Sequence, residues 1–248
     1  MAQSYRFTEE GFAEAVLLAR QALVIDPSYV PAAARVGWCR AVQRAQGWGA
    51  TSDQEIAEAC RLARQALEAE RNDADTICQA AGTLFYLAGE AAMAAVALNR
   101  ALALNPNAAH AWTIKGAIHA VRNQPEAAIE AIERARRLSP FDRHAFGYAV
   151  NIAIAHLVAR RFEQAIEWAD RALHDQPRTV AGMRAKVVAL AHLGRLHAAG
   201  TELSRALAVQ PKLTIAGFRE QAHHMAPEVL ELYVDGLRLA GLPEGDRA

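Results

Sequence analysis

Residues 100–120 read RALALNPNAAHAWTIKGAIHA. The stretch holds the end of one helix, a stop and the start of another. Strong helix formers run to Leu104; Asn105 and Pro106 then end the run, because proline has no amide hydrogen to donate and disfavours helix in the residue before it. Just beyond, an alanine-rich segment resumes, with Trp112 and Gly116 about one turn apart. The closing phrase recurs along the chain. RQALVIDP closes at Pro27, RARRLSP at Pro140, DRALHDQP at Pro177 and SRALAVQP at Pro211, while RQALEAERN ends near Arg71 without a proline.

Pro106 and Pro140 lie 34 residues apart, Pro140 and Pro177 37, and Pro177 and Pro211 34; Arg71 precedes Pro106 by 35 and follows Pro27 by 44. Ahead of each stop two small residues recur seven apart, on one stripe of a helix: Ala15 and Ala22, Ala59 and Ala66, Ala94 and Ala101, Ala128 and Ala135, Ala165 and Ala172, Ala199 and Ala206. Upstream sits a further small position, Gly37, Gly82 and Gly116, continued less strictly by Ala153 and Val187. Short helices are marginal alone. Glycine or alanine at a crossing lets two of them approach closely, and neighbouring pairs then bury a core that no pair could bury by itself. Gly37, Gly82, Gly116, Ala101, Ala135, Ala172 and Ala206 are on this reading the packing residues, placed where a first helix touches the second. Gly89 and Gly194 fall where a tight turn between helices favours a permissive backbone.

A period of 34 with these small positions resembles the tetratricopeptide repeat, and AWTIKGAIHA resembles its W-x2-L-G-x2-Y signature, with His119 in place of the aromatic residue. The resemblance spans roughly residues 8 to 211 and implies an all-α chain, an α-solenoid of helix-turn-helix repeats wound as a right-handed superhelix. The expected organisation is one domain over 1–248: a half repeat at 8–24, five repeats over 28–211, a helical cap at 212–241 broken near Pro227, and a frayed tail at 242–248.

Composition points the same way. The chain is 52% hydrophobic but only 6% aromatic, so burial falls to Ala, Leu, Val and Ile, and alanine is the best helix former. Lys and Arg together number 27, as do Asp and Glu, which leaves no basic footprint for nucleic acid or an anionic membrane. No apolar run is long enough to span a bilayer, and the opening residues lack a signal peptide's pattern, so the expected setting is cytoplasmic. Cys39, Cys60 and Cys78 are scattered through helical patterns and read as free buried thiols.

Two places depart from the period. Ten extra residues around QGWGATSDQ fall in the first full repeat's hairpin turn; Gly47, Gly49 and Thr51 to Asp53 read as loop, with Ser52 or Asp53 capping the next helix. Trp48 in that loop is either a finger reaching a partner or a side chain folded back over the protein's own apolar edge. The half repeat at the front leaves an apolar face that a preceding domain or a second copy would cover, making a homodimer one expectation.

Taken together, FAEAVLLARQALVIDPSYVPA, the quoted middle stretch, ERARRLSPFDRHAFG and LYVDGLRLAGLPE resemble the C-terminal repeat region of bacterial signalling proteins in which a class III adenylate/guanylate cyclase domain or a winged-helix DNA-binding domain precedes the repeats. That resemblance implies a regulatory module for an output domain carried upstream.

In the resembled fold the first helix of each repeat lines a concave groove where partners lie. The register places Arg35, Trp38, Gln79, Thr83, Tyr86, His110, Thr113, Asn151, Arg184 and His192 toward it, some of them for packing alone. The Lys and Asn residues of a chaperone-binding carboxylate clamp are missing; the corresponding helices offer Thr, Ala, Gln and the single Asn151. Nine histidines show no i, i+4 pairing, so no metal or other cofactor is expected. Nucleophile and phosphate-loop motifs are absent, and Asp73 and Asp75, like Glu130 and Glu133, read as solubilising charge. The expected function is a non-enzymatic scaffold for a protein or peptide partner, or for a domain of its own longer chain. A dimerisation spacer with an empty groove is the alternative.

Overall fold

The computed structural model describes residues 7–48 and 52–245. Among them lie thirteen helices and no strand. A lone helix, α1 (Glu9–Ile25), is followed by five helical hairpins: α2 (Val30–Gln46) with α3 (Asp53–Ala69), α4 (Ala74–Ala88) with α5 (Ala91–Leu104), α6 (Ala109–Val121) with α7 (Pro125–Leu138), α8 (Phe146–Val158) with α9 (Phe162–Asp175), and α10 (Val180–His192) with α11 (Leu196–Val209). The short α12 (Ile215–Gln221) and α13 (Pro227–Leu239) close the chain. We call the first helix of each hairpin A and the second B. Packing divides the chain into unit 1, up to Lys115, and unit 2, from Gly116. The boundary falls inside α6, where no linker composition marks it.

Local chemistry sets the helix ends. Thr8 caps α1 and Asp73 caps α4, each side chain accepting from the first turn's amides, and Ser52 with Glu55 forms a capping box on α3. Asp53, expected in the loop, is thus the first residue of α3. Proline occupies the first turn of α2, α7 and α13, where its missing N–H costs nothing. Gly47, Gly89 and Gly194 lie in the turns of three hairpins with left-handed backbone, and Asn123 and Arg160 adopt the same conformation in the other two (φ 60° and 58°).

In unit 1, α1 packs on α2, α2 on α3 and α4, and α4 on α5. Ala59, Ala66, Ala94 and Ala101 are fully buried, as the seven-residue stripe requires. The glycines divide. A Cβ on Gly37 would fall 2.9 Å from Thr83 of the next A helix and 3.3 Å from the Ala59 carbonyl of α3. Gly82 does not serve an A–B crossing as expected: its Cβ would strike Trp38 and Ile114, side chains of the flanking A helices. The expected ten-residue insertion is also mostly helix, since α2 and α3 are each 17 residues long against 13 to 15 in the other hairpins. Gly49 and Thr51 lie outside the described residues. Trp48 folds back, its ring 5.2 Å from Phe7 and 5.6 Å from Phe12, and shields the start of α1.

In unit 2 the hairpins repeat the pattern; Gly116 approaches Ile132 and Ala128 of its B helix, and Ala128, Ala135, Ala165, Ala172, Ala199 and Ala206 are fully buried. Here the end of the chain departs from a simple cap. The amide of Ala226, just before α13, donates to the Val121 carbonyl at the end of α6, and Asn123 bonds Glu228. Ten or so residues on, Gly236 lies against Val188 of α10, and Val229, Leu232, Tyr233, Val234 and Leu237 join Leu157, Ala185 and Val188 in one apolar cluster. α13 therefore packs on α10, with the residues at its N-terminal end bonded to the end of α6 and the turn after it. Nor is the beginning of the tail frayed: Leu242 is buried, and Pro243 and Glu244 accept from the amides of Ile215 and Ala216.

Candidate functional site

The A layers of the two units present different surfaces. In unit 1, Arg35 and Trp38 come from α2, Asp75, Cys78, Gln79 and Tyr86 from α4, and His110 from the first turn of α6. Positions 75, 79, 82 and 86 run along one stripe of α4, so its polar start and its glycine share a face. Asp75 is the junction. Its carboxylate lies 3.7 Å from the Arg35 guanidinium and 3.6 Å from His110 Nδ1, and it accepts from the Gln79 amide. The three A helices of the unit are thereby tied through one side chain.

Above that junction the Trp38 indole lies over Gly82, and its ring meets His110 edge-on at 4.9 Å and Tyr86 at 6.3 Å. Any larger residue at 82 would occupy the space of the indole. Trp38, Tyr86, Arg35 and His110 are each half-buried, keeping part of their surface toward solvent. The neighbouring imidazolium holds the Asp75 carboxyl below the ordinary carboxylate range, against the opposing effect of burial. Burial works against charge on His110, but Cys78 and Asp75 outweigh it and raise the imidazole to about 10. Gln79 is 3% exposed and its Oε1 is buried without a hydrogen-bond partner.

Cys78, His110 and Asp75 have the residue types of a nucleophilic triad. The thiol is 1% exposed, which keeps an approaching substrate from the sulfur. Among the described residues no group of three or more His, Cys, Asp and Glu side chains is disposed to hold a metal ion, and no helix is long and apolar enough to cross a membrane.

Six of the expected groove residues thus gather on unit 1, although Thr83 is wholly buried, donating to the Gln79 carbonyl and packing against Gly37. Thr113 turns its hydroxyl to the Ala109 carbonyl of its own helix. In unit 2 Asn151 bonds the Gly147 carbonyl, and the two remaining residues touch α12 and α13. Arg184 sits 5.5 Å from the Phe218 ring beside Tyr233, and His192 stacks on Phe162 and bonds the Leu232 carbonyl at 2.9 Å. Both are half-buried, and residues of α12 and α13 take up part of the face they were expected to offer. Asp75 is the reverse case: read as solvated charge, it is the centre of the site, while Asp73 is a helix cap. The spacing of Asp75 and Gln79, one turn apart at the start of a helix, was the available signal.

A family model for the tetratricopeptide repeat matches residues 79–143 and 150–212, more than half of the chain. The chain belongs to the tetratricopeptide-repeat family. No curated protein matches it in sequence. Its fold is similar to that of PilW, described as a widely conserved type IV pilus biogenesis factor (16% identity, TM-score 0.58, 83% of this chain and 92% of that one). It is also similar to a tetratricopeptide repeat protein from Parabacteroides merdae (16% identity, TM-score 0.53, 94% and 96%) and to a chain of the APC/C hetero-tetramer Cut9–Hcn1 (16% identity, TM-score 0.63, 91% of this chain but 39% of that one). At such identities the likeness is one of fold. The tetratricopeptide repeat is a protein-interaction scaffold, and no catalytic family is indicated.

Proposed function

We propose that this tetratricopeptide-repeat protein is a docking module whose partner seats on the A face of unit 1, over Trp38, Tyr86, Arg35 and His110. The observation that carries the reading is the contrast between the two units. In unit 2 α13 packs against the A helix α10, whereas in unit 1 two aromatic rings and two cations on the A helices keep part of their surface toward solvent. Aromatic residues and arginine are the side chains that most often dominate protein interfaces. The segments resembling bacterial cyclase and winged-helix regulators add the context of a cytoplasmic regulatory module serving an output domain.

The test is site-specific photocrosslinking. A benzophenone side chain at position 38 and, separately, at exposed position 104 is carried into cells of the source organism. The reading expects a crosslinked protein from position 38 that position 104 does not yield, and at least a tenfold loss of its affinity in Arg35→Ala combined with Tyr86→Ala. Equal labelling from both positions, or unchanged affinity, rejects it.

A second reading has its own support. Leu17, Leu18, Val24 and Ile25 are exposed on α1, the last two by 83% and 86%, as a dimerising edge would require. Light scattering that gives twice the monomer mass, reduced to the monomer by Leu17→Glu and Val24→Glu, would favour the spacer.

A further inference from the structure

We infer that the partner on the A face of unit 1 is an amphipathic helix that places one carboxylate beside Arg35 and His110. The inference rests on the docking reading above and adds the class of ligand. The chain carries its own example of what an A layer of this geometry accepts. On unit 2 the occupant is a helix of 13 residues, set down through Val229, Leu232, Tyr233 and Leu237, with Gly236 drawn so close to α10 that a Cβ would lie 2.6 Å from Val188.

The polar groups of unit 1 favour the same choice. An extended peptide brings a row of backbone amides and carbonyls that need partners, and an A layer has no strand edge to supply them. Side chains would have to do so. On this face Arg35, His110 and the Gln79 amide nitrogen already converge on Asp75, and only the Gln79 oxygen stands unpaired among these contacts. A helix bonds its own backbone and asks the surface only for packing. Trp38 and Tyr86 provide an apolar floor for such a ridge.

Charge completes the argument. Two cations, Arg35 and His110, share one carboxylate, and their side chains are 20% and 35% exposed. His110 is raised far enough to stay protonated at neutral pH. Arg35 and His110 face a single carboxylate and both keep part of their surface in solvent, where a single acidic side chain of the docked helix would meet them.

A random library of 16-residue peptides, displayed on phage and selected against the full chain, tests this without presuming a conformation. Binders retained on wild type but not on Trp38→Ala with Tyr86→Ala are synthesised. The inference expects them to share an acidic position, to gain helical circular dichroism when bound, to lose at least tenfold in affinity when a central residue becomes proline, and to weaken severalfold on Arg35→Gln, the second variant in case the aromatic pair fails to fold. Peptides that tolerate the central proline, or that share no acidic position, overturn the inference and leave the docking site standing. A selection with no peptide dependent on Trp38, Tyr86 or Arg35 overturns both.

Discussion

Replacing glycine by alanine inside a helix usually stabilises a protein, and the placement of α13 reverses that expectation at one position. Gly200 in α11 and Gly236 in α13 are both interior helical glycines. A Cβ at 200 meets only the Ala240 carbonyl at 3.8 Å, an ordinary contact, so Gly200→Ala collects the full helix-propensity gain of about 1 kcal/mol. At 236 the same methyl would lie 2.6 Å from Val188 Cγ1 and 3.0 Å from its Cα. The Cα belongs to the backbone of a packed helix, so α13 must lift rather than a side chain turn away. Overpacking of this kind costs about 1–3 kcal/mol, which equals or exceeds the propensity gain. The pair should differ by about 1–3 kcal/mol: Gly200→Ala rises in midpoint by roughly 2–4 °C, and Gly236→Ala stays level or falls by up to about twice that. Thermal melts followed by far-ultraviolet circular dichroism measure both. If the two variants gain equally, α13 does not lie on α10 and unit 2 keeps an open face.

Three further outcomes follow from named contacts. Asp75→Asn should lower stability by less than about 1 kcal/mol, because the ion pairs it breaks are half in solvent. The loss should be largest between about pH 4 and 6.5: the depressed carboxyl contributes only above its unfolded value, and the raised imidazole contributes fully below its own and loses that contribution as pH climbs toward 10. Urea midpoints at pH 3, 5.5 and 10 check this window. Arg160→Gly should stabilise by about 0.5 kcal/mol, since relief of a left-handed residue, about 1–2 kcal/mol, exceeds the entropy that glycine adds to the unfolded chain; an unaltered melting temperature would contradict it. Trp48→Ala should cost about 2 kcal/mol, below the range for a fully buried tryptophan, and leave capture by the unit 1 face unchanged. Chemical denaturation and the photocrosslinking yield at position 38 are the two readouts.

Much of the helical framework was legible because its physics is local. Stops such as Pro106 and Pro211, alanines seven apart and the glycine turns each act within one hairpin, and each carries its signal in one or two residue types. The site was legible in part. Register alone gathered Arg35, Trp38, Gln79, Tyr86 and His110, since A helices repeat the same outward positions. Asp75 was passed over because its partners lie on two other helices, 40 and 35 residues away. The fate of Arg184 and His192 was hidden for a similar reason: whether a terminal amphipathic helix turns outward or back along the A layer depends on where its apolar side finds room. Gly236 holds that information only once Val188 is known to face it.

The bond between Asn123 and Glu228 closes a loop of 105 residues. Stacked hairpins ordinarily assemble by neighbours, each addition repaying its own ordering at once. Unit 2 forgoes that economy: α8 to α11 can form step by step, yet the side of α10 that meets α13 stays wet until α13 has been synthesised and has swung back. Its formation includes a long-range closure, which slows folding relative to a purely local stack and ties the end of α6 to α13 and α10. Lengthening this protein by inserting another hairpin into unit 2 would move the two ends of that bond apart.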